Sequence, residues 1–514
     1  MAATLRLPEL AQRPMHTDEA VHAIRFGDLL ETYTYEYDPF EYHGPLLLYL
    51  TLIPAWISGA TSLKDVTEIT LRLIPAVFGL GLVGLLFLFK NILDRRILLF
   101  AALFTAISPA LVFYSRYYIM EILLVFFTLS AIVGGYRFIH SKHWGWALLT
   151  GASLGLMHTS KETCILAWGA MAIALFFTIL WAKRDGHDIT LARRHIGMAV
   201  VVTLLSAVAV SVVFFSSFFS YGRGVLDSIL TYQTYITRGT GGFQDHLYPW
   251  YQYFKWLVWN TSAHAPFWTE GLVILLGLIG IGLFGILLNR HKTTSHRGLL
   301  RFIAIYTIVL TLFYSVIPYK TPWSMLGFYH GFVVLAGVGA VMVLQWSLRK
   351  PLKTIVSLFL FLGILHVGVL SFSMNFNYDT DPSNPYVYAH THEDIYNLVD
   401  AVDEITSYWP EGNDTYIEVV CAGSDYWPLP WYFREYTQVG YFSEFNYDLP
   451  AGKLIITTPS MESALLKKLY DIPPPGHRHM YIPHFPNGIW LRAGVPIELY
   501  VRKDVWDTWY RESP

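Results

Sequence analysis

Ten stretches of the chain are apolar over most of the length that a bilayer demands, near 69–89, 97–114, 119–139, 144–158, 163–182, 197–219, 271–289, 300–318, 324–346 and 353–372. A helix that crosses the hydrocarbon core takes roughly 17 to 25 mostly apolar residues. The pattern therefore predicts about ten transmembrane helices, the fourth of them short. LLLYLTLIPAWISG at 46–59 is apolar but too short to span comfortably, and reads as an interfacial helix lying along the membrane. From residue 376 the periodicity changes. HEDIYNLVDAVDEITSYW and SALLKKLYD read as helices, TYIEVV and KLIITT as buried strands, an alternation that predicts a small α/β domain. The expected division is 1–68, an external loop with interfacial helices; 69–375, a helical membrane domain with an external loop at 220–270; and 376–514, an external α/β domain.

Composition agrees with the pattern. The 514 residues are 54% hydrophobic and 14% charged, with a mean hydropathy of +0.39, which points to a polytopic membrane protein. A net charge of -2 supplies no global field to attract nucleic acid, so function must come from where charges sit. Alternate loops differ in basic residues. One set holds Lys90, Arg95, Arg96, Arg137, Lys142, Lys183, Arg184, Arg193, Arg194, Arg290, Lys292, Arg297, Arg301, Arg349, Lys350 and Lys353; the other holds Arg116, Lys161, Arg223, Arg238, Lys255 and Lys320. By the positive-inside rule the richer set is cytoplasmic, which puts the opening segment, the 220–270 loop and the tail on the external face of the cell membrane. Cys164 and Cys421 lie far apart in sequence and outline neither a disulfide framework nor a thiolate metal site. Residues 1–12, MAATLRLPELAQ, have no apolar core of the length expected of a signal peptide.

The polar residues worth weighing gather at external helix ends: Asp18, Glu19, Glu36, Asp38, Glu41 and His43 in the opening segment, Arg72 at the mouth of the first apolar stretch, Arg116 and Glu121 in SRYYIMEILL, Lys161 and Glu162 in HTSKET, His246 in DHLYPWYQYF, and Lys320 in YKTPW. Lys, Arg and aromatics also mark membrane interfaces as anchors. Acidic residues do nothing for an anchor, and Glu121 begins an apolar run where an ionisable group is expensive. HTDEAVH places two histidines and two carboxylates within seven residues, and AHTHED adds His390 and His392. His16 and His22 are six apart and off one helical face, so carboxylate oxygens holding a divalent cation fit the stretch better than a zinc site. GTGG at 239–242 lacks the flanking strand and helix of a phosphate-binding loop.

Carboxylates mixed with cations at membrane level suit glycosyl transfer from a lipid phosphate. One carboxylate takes the acceptor's proton, and cations stabilise the departing phosphate. A single displacement with inversion needs only that one base, because phosphate leaves without a protonating acid.

In this light RPMHTDEAVHA, EYHGPLLLYL, TLRLIPAVFG, SRYYIMEILL, HTSKET and YKTPW resemble, in order and spacing, the motifs of the GT-C superfamily of membrane glycosyltransferases, which includes protein O-mannosyltransferases, the lipid A aminoarabinose transferase and oligosaccharyltransferases. The resemblance runs over 13–346. MHTDEAVHA, EYHGP, PYKTPW and the tail's WPLPWYFRE are most similar to the subfamily of flippase activity-associated proteins. The resemblance implies that Asp18 is the general base and Glu19 its partner; taken from the residues alone, the two carboxylates are tied. It implies phosphate-side roles for Arg72, Arg116, Lys161 and Lys320, and an acidic role in the second loop for Glu121. His43 stands where the aminoarabinose branch carries Lys, and joins the phosphate side here. His16, His246, Tyr319, Trp323, Trp427 and Arg434 are the remaining expected substrate contacts.

The expectation is an inverting transferase that moves a sugar from a polyprenyl-phosphate donor to a protein, lipid or glycan acceptor, with membrane lipid as its other partner. The rivals are a transporter or flippase-associated factor for lipid-linked sugars, which calls for polar sites at the midplane, and a scaffold protein whose rim charges are anchors. Related folds enter the first loop from a preceding helix, and AATLRLPEL resembles only the last turns of one, so a further apolar span is expected upstream of Met1.

Overall fold

The computed structural model describes residues 1–514 apart from 41–42, 91, 186–192, 240–245, 262–265, 288–296, 347–349 and 513–514, and apart from the side chains of 193–195, 235–239, 283–287 and 346. Glu41 and most of GTGG lie outside the described residues. The chain divides into two compact units. One comprises Met1–Leu10, Thr32–Ser58 and Ile69–Tyr388; the other comprises Ala11–Glu31, Gly59–Glu68 and Ala389–Pro514.

The first unit is helical, and every one of the ten apolar stretches carries helix. Seven helices among the described residues are long and apolar enough to cross a membrane: Glu68–Phe89, Glu121–Ser141, Cys164–Arg184, Ile196–Phe215, Arg297–Val316, Pro322–Gln345 and Lys350–Asn377. Trp144–Ser160 and Gly271–Leu287 reach 17 residues each. The stretch near 97–114 is two helices, Arg95–Ile107 and Pro109–Tyr114. Ser108 and Pro109 cause the break: proline removes a backbone donor and is favoured at a helix start, and the Ser108 hydroxyl caps the new helix by accepting the Leu111 N–H at 3.3 Å. LLLYLTLIPAWIS forms a 13-residue helix, Leu46–Ser58.

Pro322–Gln345 is the central element, with 83% of its apolar window buried, whereas Ile196–Phe215, at 11%, is peripheral. The peripheral helix is attached through glycine. A Cβ at Gly151 or Gly155 would overlap the carbonyl of Thr203 or Ala207, so the GASLG spacing lets two backbones touch where bulkier side chains would hold them apart. Gly224–Gly239 is built the other way round from a helix of a water-soluble domain: Asp227, Ser228 and Thr231 are buried, whereas Leu226, Ile229 and Leu230 are exposed.

The second unit is built on a mixed sheet. β1 (Ile417–Val420) lies between β2 (Val439–Phe442) and β3 (Leu454–Thr457), both parallel to it. A strand with neighbours on both sides and covered faces is buried throughout, as β1 and β3 are; the one carboxylate of β1, Glu418, is paired with Lys468 at 2.6 Å. β4 (Tyr481–Pro483) and β5 (Ile489–Arg492) pair antiparallel with β6 (Val495–Arg502), which also pairs with β3. Gly494, at φ +83°, turns the chain from β5 into β6. Helix Asp394–Ser407 packs Ile395, Leu398, Val402 and Ile405 into the core with Ile417, Val419, Leu454 and Ile456. The structure thus bears out a polytopic helical domain followed by an α/β domain.

Candidate active site

Helix Thr17–Thr32 begins at the HTDE stretch, and its first turn explains the side chains of His16 and Glu19. The first N–H groups of a helix lack intrahelical partners. Here the His16 ring Nδ1 accepts the Asp18 backbone N–H at 3.1 Å, and the Glu19 carboxylate reaches back to accept the His16 N–H at 3.0 Å. This is a capping box with an imidazole in place of the usual hydroxyl. Glu19 is fully buried in that role. Asp18 is half-buried, and among the described residues its carboxylate has no hydrogen-bond or ion-pair partner. The two carboxylates thus differ in their surroundings: Glu19 is engaged in the cap, whereas Asp18 has no such partner among the described residues.

The same unit holds His16 from the other side. Its ring stacks on His390 at 5.7 Å, Thr391 Oγ1 donates to the Met15 carbonyl at 2.7 Å, and the Tyr432 hydroxyl accepts the Met15 N–H at 2.9 Å. Among the described residues no three His, Cys, Asp or Glu side chains converge as metal ligands. In WPLPWYFRE, Trp431 is fully buried and donates from Nε1 to Glu68 at 2.8 Å. Arg434 stacks on Trp431 at 3.9 Å and donates to the Val66 carbonyl at 3.2 Å, tying the 59–68 segment down; burial lowers its guanidinium pKa. Trp427 is half-buried, and its carbonyl accepts from Arg492 at 2.7 Å. We expect Arg434→Ala to lower the unfolding temperature of the purified protein, consistent with a loss of about 1–3 kcal/mol from its charged hydrogen bonds, and Trp427→Ala to leave it nearly unchanged. An Arg434→Ala protein that unfolds like the wild type yet binds no sugar substrate would return Arg434 to a binding role.

In the helical unit, Glu121 opens helix Glu121–Ser141 and Lys161 closes helix Trp144–Ser160. An acidic N-terminus and a basic C-terminus each complement the helix dipole, and the two side chains form a buried ion pair. The pair lines a small cavity of about 20 Å³ with Thr128, Tyr306, Tyr314 and Trp323. The next residue, Glu162, points elsewhere. Its carboxylate accepts the Tyr37 hydroxyl at 2.9 Å and faces His43 Nδ1 at 3.0 Å. Gly44 makes this possible, because a Cβ there would overlap the Thr159 carbonyl; Gly44 lies directly against the end of helix Trp144–Ser160.

The other expected cations hold backbone. Arg72 donates to the Leu10 carbonyl at 2.7 Å, and Arg116 to those of Pro8 at 2.6 Å and Glu9 at 3.2 Å. Lys320 is fully buried at the end of helix Arg297–Val316, where its ammonium caps the carbonyls of Tyr314 and Ser315, both at 3.0 Å, and of Ile317. Burial pulls its pKa down to about 8. His246 and Tyr319 meet through a short antiparallel bridge, Leu247 with Tyr319. His246 bonds the Tyr388 hydroxyl, and Trp323 packs on the Tyr388 ring at 5.8 Å.

Residues 40–226 match the family model described as dolichyl-phosphate-mannose-protein mannosyltransferase. No curated protein sequence matches the chain. Among solved structures, it is similar to the archaeal oligosaccharyltransferase AglB from Archaeoglobus fulgidus, in complex with an inhibitory peptide and a dolichol-phosphate, with 13% identity, a TM-score of 0.59, and coverage of 96% of this chain and 72% of that one. It is also similar to ArnT from Cupriavidus metallidurans bound to undecaprenyl phosphate, with 14% identity, a TM-score of 0.59, and coverage of 97% and 96%. The chain shares its fold with these two transferases.

The stretch matched by the family model includes His43, Arg72, Arg116, Glu121 and Lys161, whereas Asp18 precedes it and Lys320 follows it. Among the buried carboxylates that the sequence reading does not single out is Glu270. Glu270 accepts hydrogen bonds from Ser108 at 2.7 Å, the Ala110 N–H at 2.8 Å, Tyr386 at 2.7 Å and Tyr329. The signal that singled out Glu121, an acidic residue at the start of an apolar run, is equally present in EGLVILLG. Four donors satisfy Glu270 within the protein, so it joins helix ends instead of offering a group to substrate.

Proposed function

We propose that the chain is an inverting glycosyltransferase that moves a sugar from a polyprenyl-phosphate donor to an acceptor hydroxyl or amide at the external membrane face. The observation that carries this reading is Asp18: a carboxylate at a helix start, held in place by its own capping box and not consumed by it. In the proposed reaction the acceptor heteroatom bonds to the anomeric carbon as the bond from that carbon to the phosphate oxygen breaks. Asp18 takes the acceptor's proton, and the lipid phosphate leaves with both electrons of the broken bond. His43, Lys161, Arg72, Arg116 and Lys320 are assigned to the phosphate side. His43 and Lys161 present side chains directly, whereas Arg72, Arg116 and Lys320 act through the backbone they hold. Substrate contacts are assigned to His16, Glu121, His246, Tyr319, Trp323, Trp427 and Arg434.

The fold adds support, since the AglB and ArnT structures hold dolichol-phosphate and undecaprenyl phosphate. The test is transfer by purified protein in liposomes. Polyprenyl-phosphate sugars are supplied in turn, and products are read by mass spectrometry beside the glycans of cells with and without the gene. Sugar appearing on an acceptor supports the reading. Movement of lipid-linked sugar between leaflets with no transferred sugar would establish the transporter in its place.

A further inference from the structure

We propose that Glu162 is a positioning residue that fixes the His43 imidazole so that its opposite edge meets the departing lipid phosphate. This rests on the donor class given above. The observations are local to the helical unit. Glu162 has a relative exposure of 2%, and a carboxylate is not buried so deeply without donors aimed at it. Two side chains supply them, the Tyr37 hydroxyl at 2.9 Å and His43 Nδ1 at 3.0 Å. The His43 side chain keeps 24% of its surface exposed, so one edge of the ring faces the carboxylate while part of the ring remains accessible. The main chain around it is pinned as well: Gly44 lies against Thr159, and the His43 carbonyl accepts the Tyr35 hydroxyl at 3.4 Å.

This arrangement decides the chemistry of the ring. A carboxylate accepts and does not donate when ionised, so Nδ1 carries the proton, and the ring is held in one tautomer and one orientation. Carboxylates that orient an imidazole in this way act through the second nitrogen, which does the work on substrate. Glu162 and His43 are 119 residues apart in sequence, and the contact exists because Gly44 packs against Thr159. The neighbouring Lys161 turns away to Glu121. The consecutive Lys–Glu dipeptide therefore serves two separate clusters, the ion pair at the cavity and the oriented histidine.

The experiment measures binding of undecaprenyl phosphate, with undecaprenol as the uncharged control, by purified protein in nanodiscs; each variant's unfolding temperature is recorded alongside. Glu162→Gln should weaken phosphate-dependent binding by about 10- to 100-fold, the usual effect of removing a group that orients a ligand-binding histidine. His43→Asn keeps a donor facing Glu162 and lacks the opposite ring nitrogen; it should fold as the wild type does and weaken binding equally. His43→Lys supplies a charge that needs no orienting carboxylate, so His43→Lys combined with Glu162→Gln should bind like His43→Lys alone. Wild-type affinity in either Glu162→Gln or His43→Asn overturns the proposal, as does a His43→Lys protein that still needs Glu162. Should Glu162→Gln fail to fold, His43→Asn decides. A wild-type protein that holds undecaprenyl phosphate no better than undecaprenol defeats the donor reading itself, a result distinct from every variant outcome.

Discussion

Asp18→Asn is expected to reduce transfer by about 100- to 10,000-fold, the range over which a positioned general base contributes, while leaving the unfolding temperature and lipid phosphate binding unchanged. The basis is the division of labour in one helical turn. His16 and Glu19 each accept a backbone N–H, whereas the Asp18 carboxylate accepts none among the described residues. Asparagine at position 18 keeps the shape and remains a good residue near a helix start; only the basic oxygen is lost. Glu19→Gln should behave in the opposite way. Gln serves well in a capping box, so the fold and most of the activity should persist. Assays of purified protein in liposomes check both. A well-folded Asp18→Asn protein with near-normal turnover would remove Asp18 from the base role, and a Glu19→Gln protein as inactive as Asp18→Asn would make the base a shared function of the two.

The largest loss of stability is expected from Lys161→Met. The change would leave the Glu121 carboxylate buried without its cation, and breaking one side of such a pair costs about 3–5 kcal/mol. Replacing both partners with apolar residues, Lys161→Met with Glu121→Leu, should recover most of it, because the desolvation cost disappears together with the attraction. The comparison separates structure from catalysis. Unfolding temperatures in nanodiscs report the pair, and binding of undecaprenyl phosphate by the stable double variant reports any direct contact between Lys161 and the phosphate. If the single and double variants unfold together, the ion pair is not the source of stability. If the single variant matches the wild type, the buried pair contributes nothing measurable.

The parts of the fold legible in sequence are those in which the solvent writes its own period. Ten apolar stretches are ten helical regions, because a bilayer tolerates only backbone that bonds to itself. The break at Pro109 was written in Ser108-Pro109 and escaped because hydropathy averages over it. In the sheet domain, β1 and β3 stand out as fully buried runs. β6 buries alternate residues but opens with Val495-Pro496, and β4 is three residues ending in Pro483, so neither carries a strong strand signal. The site divides in the same way. The capping box at His16–Glu19 is a local motif, and its hydrogen bonds engage Glu19 and not the Asp18 carboxylate. The partnership of His43 with Glu162 is not local: nothing in EYHGP names a carboxylate 119 residues away. Arg72, Arg116 and Lys320 look alike in sequence and turn out to hold carbonyls; a cation's partner is a property of the fold.

Helix Gly224–Gly239 has a bearing on how this protein is handled. Its greasy side, Leu226, Ile229 and Leu230, faces away from the protein, and its polar side faces in. A fragment excised around this loop for crystallisation or immunisation would meet water with the face meant for oil, and is expected to clump unless detergent or lipid stays with it. Shielding that strip is therefore a matter for the amphiphile and not for the polypeptide, and a micelle too small to reach it leaves the helix without its natural medium.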